Sequence, residues 1–168
     1  ALRDNTVGIY NSAFGREALK SNTTGTANVA VGRNAMNSGT TGDNNTAVGV
    51  NALTATDTGV QNMAFGYNTL AANTDGNYNI AIGDQALVTN ITGDSNMAIG
   101  NGSLGLCTGH QNTAIGSLSM YNTTGNYNVA IGKSSALSLT SGSNNITIGT
   151  DVNVVSATGN YQLNIGNT

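Results

Sequence analysis

The chain contains no proline and no tryptophan, one cysteine and one histidine, and only 8% of its 168 residues are Asp, Glu, Lys or Arg. Each scarcity excludes something. A single cysteine, Cys107, rules out an intrachain disulfide framework. The net charge is −3, and four of the five basic residues (Arg3, Arg16, Lys20 and Arg33) crowd the N-terminal end. That leaves no basic stripe for a nucleic-acid backbone. No apolar run approaches the roughly 20 residues of a membrane-spanning helix, so direct membrane insertion is not expected, and no signal-peptide pattern opens the chain. Glu17 is the sole glutamate and the aspartates are dispersed, so paired carboxylates for glycoside cleavage are hard to assemble. His110 and Cys107 could suggest a thiol–imidazole pair, but they lie in a variable turn with no orienting carboxylate beside them. No enzyme and no cofactor are expected. Solvation of so uncharged a surface falls to Asn, Thr, Ser and Gly.

Glycine is what the chain has in quantity. A pair of glycines seven residues apart occurs ten times, from Gly8/Gly15 and Gly25/Gly32 to Gly142/Gly149 and Gly159/Gly166. The second glycine recurs every 17 residues, except that Gly100, Gly116 and Gly132 are 16 apart. A period held from end to end marks a stacked solenoid. The expected fold is all-β, a parallel β-roll of about ten 16–17-residue coils forming a single repeat domain over residues 1–168. Because the sequence begins and ends inside a repeat, it is expected to be a segment of a longer fibre.

One unit reads Asn-x-Ala-h-Gly-x-x-Ala-Leu, then a variable polar stretch and Thr-Gly, as in Asn45-Thr46-Ala47-Val48-Gly49 with Ala52-Leu53 and Thr58-Gly59. The h slot holds Val48, Phe65, Ile82, Ile99, Ile115, Ile131 and Ile148 among others. These β-branched and aromatic residues favour a strand and are expected to form the core. Alternation along a strand puts x and h on one face and Asn and Ala on the other. The small face invites close approach of another backbone, so self-association is placed there, with Ala47, Ala81 and Ala130 as its markers. The Ala-Leu segment, extended to Ala136-Leu137, predicts a second inward anchor on a short strand or tight turn. Glycines at the corners supply the positive φ that bends demand. Each coil offers few aliphatic side chains against the entropy of ordering it, which predicts assembly into a homotrimer.

Asn28, Asn45, Asn62, Asn79, Asn96, Asn112, Asn128 and Asn145 share one slot and predict a structural ladder along the stack. Tyr10, Tyr78, Tyr127 and Tyr161 share another, five residues before the second, or landmark, glycine of each pair. Facing outward, they would form a glycan-contact column, since tyrosine joins an apolar face to a polar tip. Facing inward, they pack at the core rim. A threonine precedes most first glycines, which raises an ice-binding solenoid as an alternative; Asp75 and Ser141 interrupt that column, and it supplies one Thr per coil. Asp43 and Asp94 share a slot too sparse in acids for a metal site.

At its Asn-x-Ala-h-Gly strands, such as Asn44-Asn45-Thr46-Ala47-Val48-Gly49 and Tyr127-Asn128-Val129-Ala130-Ile131-Gly132, the chain resembles the head repeats of trimeric autotransporter adhesins. The longer unit with Ala-Leu and Thr-Thr-Gly is similar to repeats in tail-fibre-like proteins of phages and bacteria. The resemblance implies a left-handed roll, three chains around one axis, and an extracellular fibre of a cell surface or virion. Its partners would be other copies of itself and a cell-surface glycan or protein receptor. These coils are longer than typical adhesin-head coils.

Overall fold

The computed structural model describes residues 1–39 and 41–166. Among them are ten three-residue strands and no helix: β1 (Ser12–Phe14), β2 (Val29–Val31), β3 (Thr46–Val48), β4 (Met63–Phe65), β5 (Ile80–Ile82), β6 (Met97–Ile99), β7 (Thr113–Ile115), β8 (Val129–Ile131), β9 (Ile146–Ile148) and β10 (Leu163–Ile165). They stack in chain order into one parallel sheet. Equivalent slots pair throughout, for example Ala64 with Ala81 and Phe65 with Ile82. The chain is therefore a β-solenoid of about nine turns, with equivalent side chains in columns.

The two faces of the sheet are the reverse of the sequence expectation. Ala30, Ala47, Ala64, Ala81, Ala98, Ala114 and Ala130 are fully buried inside the coil. The h residues point out: Phe65, Ile82, Ile131 and Ile148 are exposed, while Val48, Ile99 and Ile115 are half-buried. None of the seven expected core residues is in the core. The reason is the volume available across a narrow coil. Opposite the alanines, four residues after each landmark glycine, stand Leu19, Met36, Leu53, Leu70, Leu87, Leu104 and Met120, all buried. A large residue from one wall leaves room only for a small one from the other. Self-association through Ala47, Ala81 and Ala130 is excluded for the same reason, since those side chains face their own coil's interior.

The segment of each coil after the second glycine carries these core side chains, as the Ala-Leu pattern predicted. It forms turns, not a second strand. The core leucines sit at positive φ, 49° at Leu53 and 51° at Leu70, a conformation made tolerable by full burial. In the coil after Gly132 the alignment shifts: Ala136 occupies the leucine slot, Leu137 is exposed, and Leu139 is buried in its place. The expected Ala136-Leu137 anchor is thus replaced by Leu139. The 16-residue spacings arise from loss of one residue between the Cys107 or Thr123 slot and the next Thr-Gly.

The two glycines of each pair serve different ends. The second takes the bend, with Gly49 at φ 139°. The first is absent from the positive-φ positions and answers to close stacking: a Cβ on Gly59 would lie 2.6 Å from the Gly76 carbonyl oxygen of the next coil.

Candidate binding surfaces

Beside each strand, the buried asparagine ties neighbouring coils together. Asn28 Oδ1 accepts the backbone N–H of Asn45 at 2.8 Å, and Asn45 Oδ1 accepts that of Asn62 at 2.9 Å. The same pattern runs through Asn79, Asn96, Asn112, Asn128 and Asn145 to Gln162. Each Nδ2 donates to the carbonyl of a first glycine, as from Asn62 to Gly76 at 2.7 Å. These polar groups have internal partners, and the column is a structural element closed to ligands.

A second ladder, not anticipated from the sequence, runs in the opposite sense one residue after the first glycine. The backbone N–H of Asn77 donates to Asp94 Oδ1 at 2.8 Å, that of Asp94 to His110 Nδ1 at 3.1 Å, and that of His110 to Asn126 Oδ1 at 2.7 Å. Its signal was available: Asp, Asn, His and Ser, all with side-chain acceptors, dominate the slot. Asp43 and Asp94 are thereby explained as coil-to-coil acceptors, since Asp43 Oδ1 takes the Thr26 N–H at 2.7 Å. Among the described residues, no group of His, Cys, Asp and Glu is arranged to hold a metal ion.

His110 and Cys107 do not form a pair. His110 Nδ1 lies 3.6 Å from Asp94 Oδ2, whereas the Cys107 sulfur is buried against the Gly109 carbonyl and Asn112 Nδ2. Burial pushes the thiol up to about 11, opposed in part by these two contacts. Such a thiol is inert at neutral pH.

The outward side of the sheet carries two adjoining apolar columns. One contains Val29, Met63, Ile80, Met97, Val129 and Ile146, interrupted by Thr46 and Thr113; the other contains Phe14, Val31, Val48, Phe65, Ile82, Ile99, Ile115, Ile131, Ile148 and Ile165. Met63, Phe65, Ile82, Ile131, Ile146 and Ile148 are exposed in the single chain. At about 4.8 Å per strand, the columns extend for roughly 45 Å. Among the described residues, no Asp, Glu, Lys or Arg lies on a strand. A contiguous apolar strip of this length is what soluble monomers avoid.

Tyr10, Tyr78, Tyr127 and Tyr161 are all outward, with 83%, 56%, 55% and 80% of their surface exposed, and all take positive φ between 57° and 61°. The threonines before the first glycines are exposed as well, interrupted at Asp75 and Ser141 as in the sequence. This chain matches no family model, no curated protein and no solved structure.

Proposed function

We propose that the chain is a segment of an extracellular trimeric fibre that extends, stiffens and presents an attachment surface on a cell or virion. The outward apolar strip of the sheet carries this reading. Among the described residues there is no pocket, and what a uniform rod offers is length and surface. Its two apolar columns give each copy a dry strip to lay against neighbours. Three copies around one axis, each turning its sheet inward, would cover x and h columns together and leave the corners in solvent. The trimeric state, the left-handed winding and the extracellular placement follow the resemblance to adhesin heads and tail-fibre-like repeats. The interface is placed on the strip and not on the alanine face.

Analytical ultracentrifugation tests it. The chain should sediment with the mass of three copies, and Ile82→Asp with Ile131→Asp should release monomers. A monomeric native chain at micromolar concentration would sink the reading.

A further inference from the structure

Of the exposed features outside the apolar strip, the tyrosine column repeats bulky, exposed rings at positive φ along the stack. The slot five residues before the landmark glycine has positive φ in every coil: Tyr10, Ala27, Asn44, Gln61, Tyr78, Ser95, Gln111, Tyr127, Asn144 and Tyr161. Asparagine suits this conformation and a bulky ring does not. The core leucines accept the same strain because they are buried. The tyrosines do not have that compensation, since more than half of each ring side chain is in solvent, and neither Tyr78 nor Tyr127 uses its hydroxyl in a hydrogen bond among the described residues. Backbone preference does not select tyrosine here, and Tyr78 and Tyr127 bury less than half of their surface. Strain without a structural return points to a surface role.

Between Tyr78 and Tyr127 the slot holds Ser95 and Gln111, both exposed, and their side chains make no hydrogen bond within the described chain. The four carriers are held rigidly: the backbone N–H groups of Tyr78, Ser95, Gln111 and Tyr127 donate to the carbonyls of Val60, Asn77, Asp94 and His110 at 2.9–3.1 Å. Three coil steps separate the two rings, about 14 Å at the usual strand spacing. Two aromatic faces bracketing a short polar floor match an extended oligosaccharide. Ring C–H faces of the end sugars can stack on tyrosine, and hydroxyls between them can meet a free amide and a free hydroxyl. The neighbouring slots carry Asp75, Asp94 and His110, with His110 Nδ1 3.6 Å from Asp94 Oδ2, and no Lys or Arg occurs between Arg33 and Lys133. With two carboxylates and no guanidinium or ammonium group, the surface favours a neutral sugar over an anionic one.

The geometry points to Tyr78, Ser95, Gln111 and Tyr127 as a binding site for a neutral oligosaccharide of about four sugars, lying along the solenoid axis. This names the partner of the attachment surface and rests on the fibre reading for its biological setting.

The test uses the native chain with cellotetraose, chitotetraose and maltotetraose, and with sialyllactose and a sulfated chondroitin tetrasaccharide as anionic controls. Tyr78→Asn and Tyr127→Asn are suitable variants, because Asn44 and Asn144 already occupy this slot and preserve the backbone. The expected result is binding of at least one neutral tetrasaccharide, weakened tenfold or more by either substitution, with neither anionic probe bound and the oligomer mass unchanged. Absence of binding to all three neutral probes, or binding indifferent to both substitutions, overturns the assignment. So does a variant that binds normally only after losing its oligomeric mass, which would make the tyrosines contacts between copies. Failure of the fibre reading is read separately, from the mass of the unsubstituted chain.

Discussion

Asn79 donates its backbone N–H to Asn62 Oδ1 at 3.0 Å, and its Nδ2 reaches the same oxygen at 3.1 Å and the Gly93 carbonyl at 2.8 Å. Its own Oδ1 accepts the Asn96 N–H at 2.9 Å. Asn79→Ala would therefore strand the Asn96 N–H inside the stack, while the Gly93 carbonyl keeps Asn90 Nδ2 as a donor at 3.0 Å. An unsatisfied buried group costs roughly 1–3 kcal/mol, so a loss of about that size is expected in chemical denaturation. Asn122→Ala, at an exposed asparagine with no side-chain bond in the described chain, should stay within about 0.5 kcal/mol. Equal effects of the two would show that the ladder contributes nothing specific.

Ala81 and Ile82 are adjacent in sequence and opposite in consequence. Ala81 is fully buried and Ile82 is exposed. Ala81→Leu should overpack the coil interior, costing at least about 1–3 kcal/mol, and should lower the melting temperature at every protein concentration. Ile82→Asp should act on self-association, so its effect on melting should depend on concentration. The reverse pattern, with Ala81→Leu altering mass alone, would restore the alanine face as the interface.

Leu139 supplies the bulk that Ala136 leaves out. Leu139→Ala should cost about 2–5 kcal/mol, as expected for a buried leucine, while Leu137→Ala at the exposed neighbour should cost little. Combining Ala136→Leu with Leu139→Asn restores the side-chain pattern seen at Leu87 and Asn90, both buried. The double variant should be more stable than Leu139→Asn alone, measured by urea denaturation.

Cys107 ties stability to alkaline pH. Its thiol is pushed from an ordinary 9.0 to about 11 in the folded chain, mainly by desolvation. Between these values the unfolded chain releases this proton and the folded chain retains it, so unfolding is favoured as pH rises. The contribution is fully present below pH 9 and is lost on approaching about 11; it is worth about 2–3 kcal/mol from the size of the shift. Cys107→Ser should flatten the fall in denaturation midpoint across that window. Iodoacetamide at pH 8 should label the native thiol far more slowly than the urea-unfolded one.

What the residues alone determined was the winding. Landmark glycines at intervals of 16–17 residues, and an Asn-x-Ala-h strand after most Thr-Gly pairs, repeat often enough to declare one short strand per coil in stacked register. Periodicity is a property of the linear chain, and stacking simply adds equal steps. Which way each strand faces was not legible from Ala47-Val48 or Ala130-Ile131, because alternation defines two faces without saying which one is enclosed. The tertiary structure decided it through cross-section: once Leu53 and its counterparts fill the coil from one wall, only alanine fits from the other, and the larger aliphatic residues are turned out. The glycines illustrate the same division. Gly49 could be read as a bend from its neighbours in sequence, whereas the need for glycine at Gly59 arises only when the Gly76 carbonyl of the next coil is packed against it.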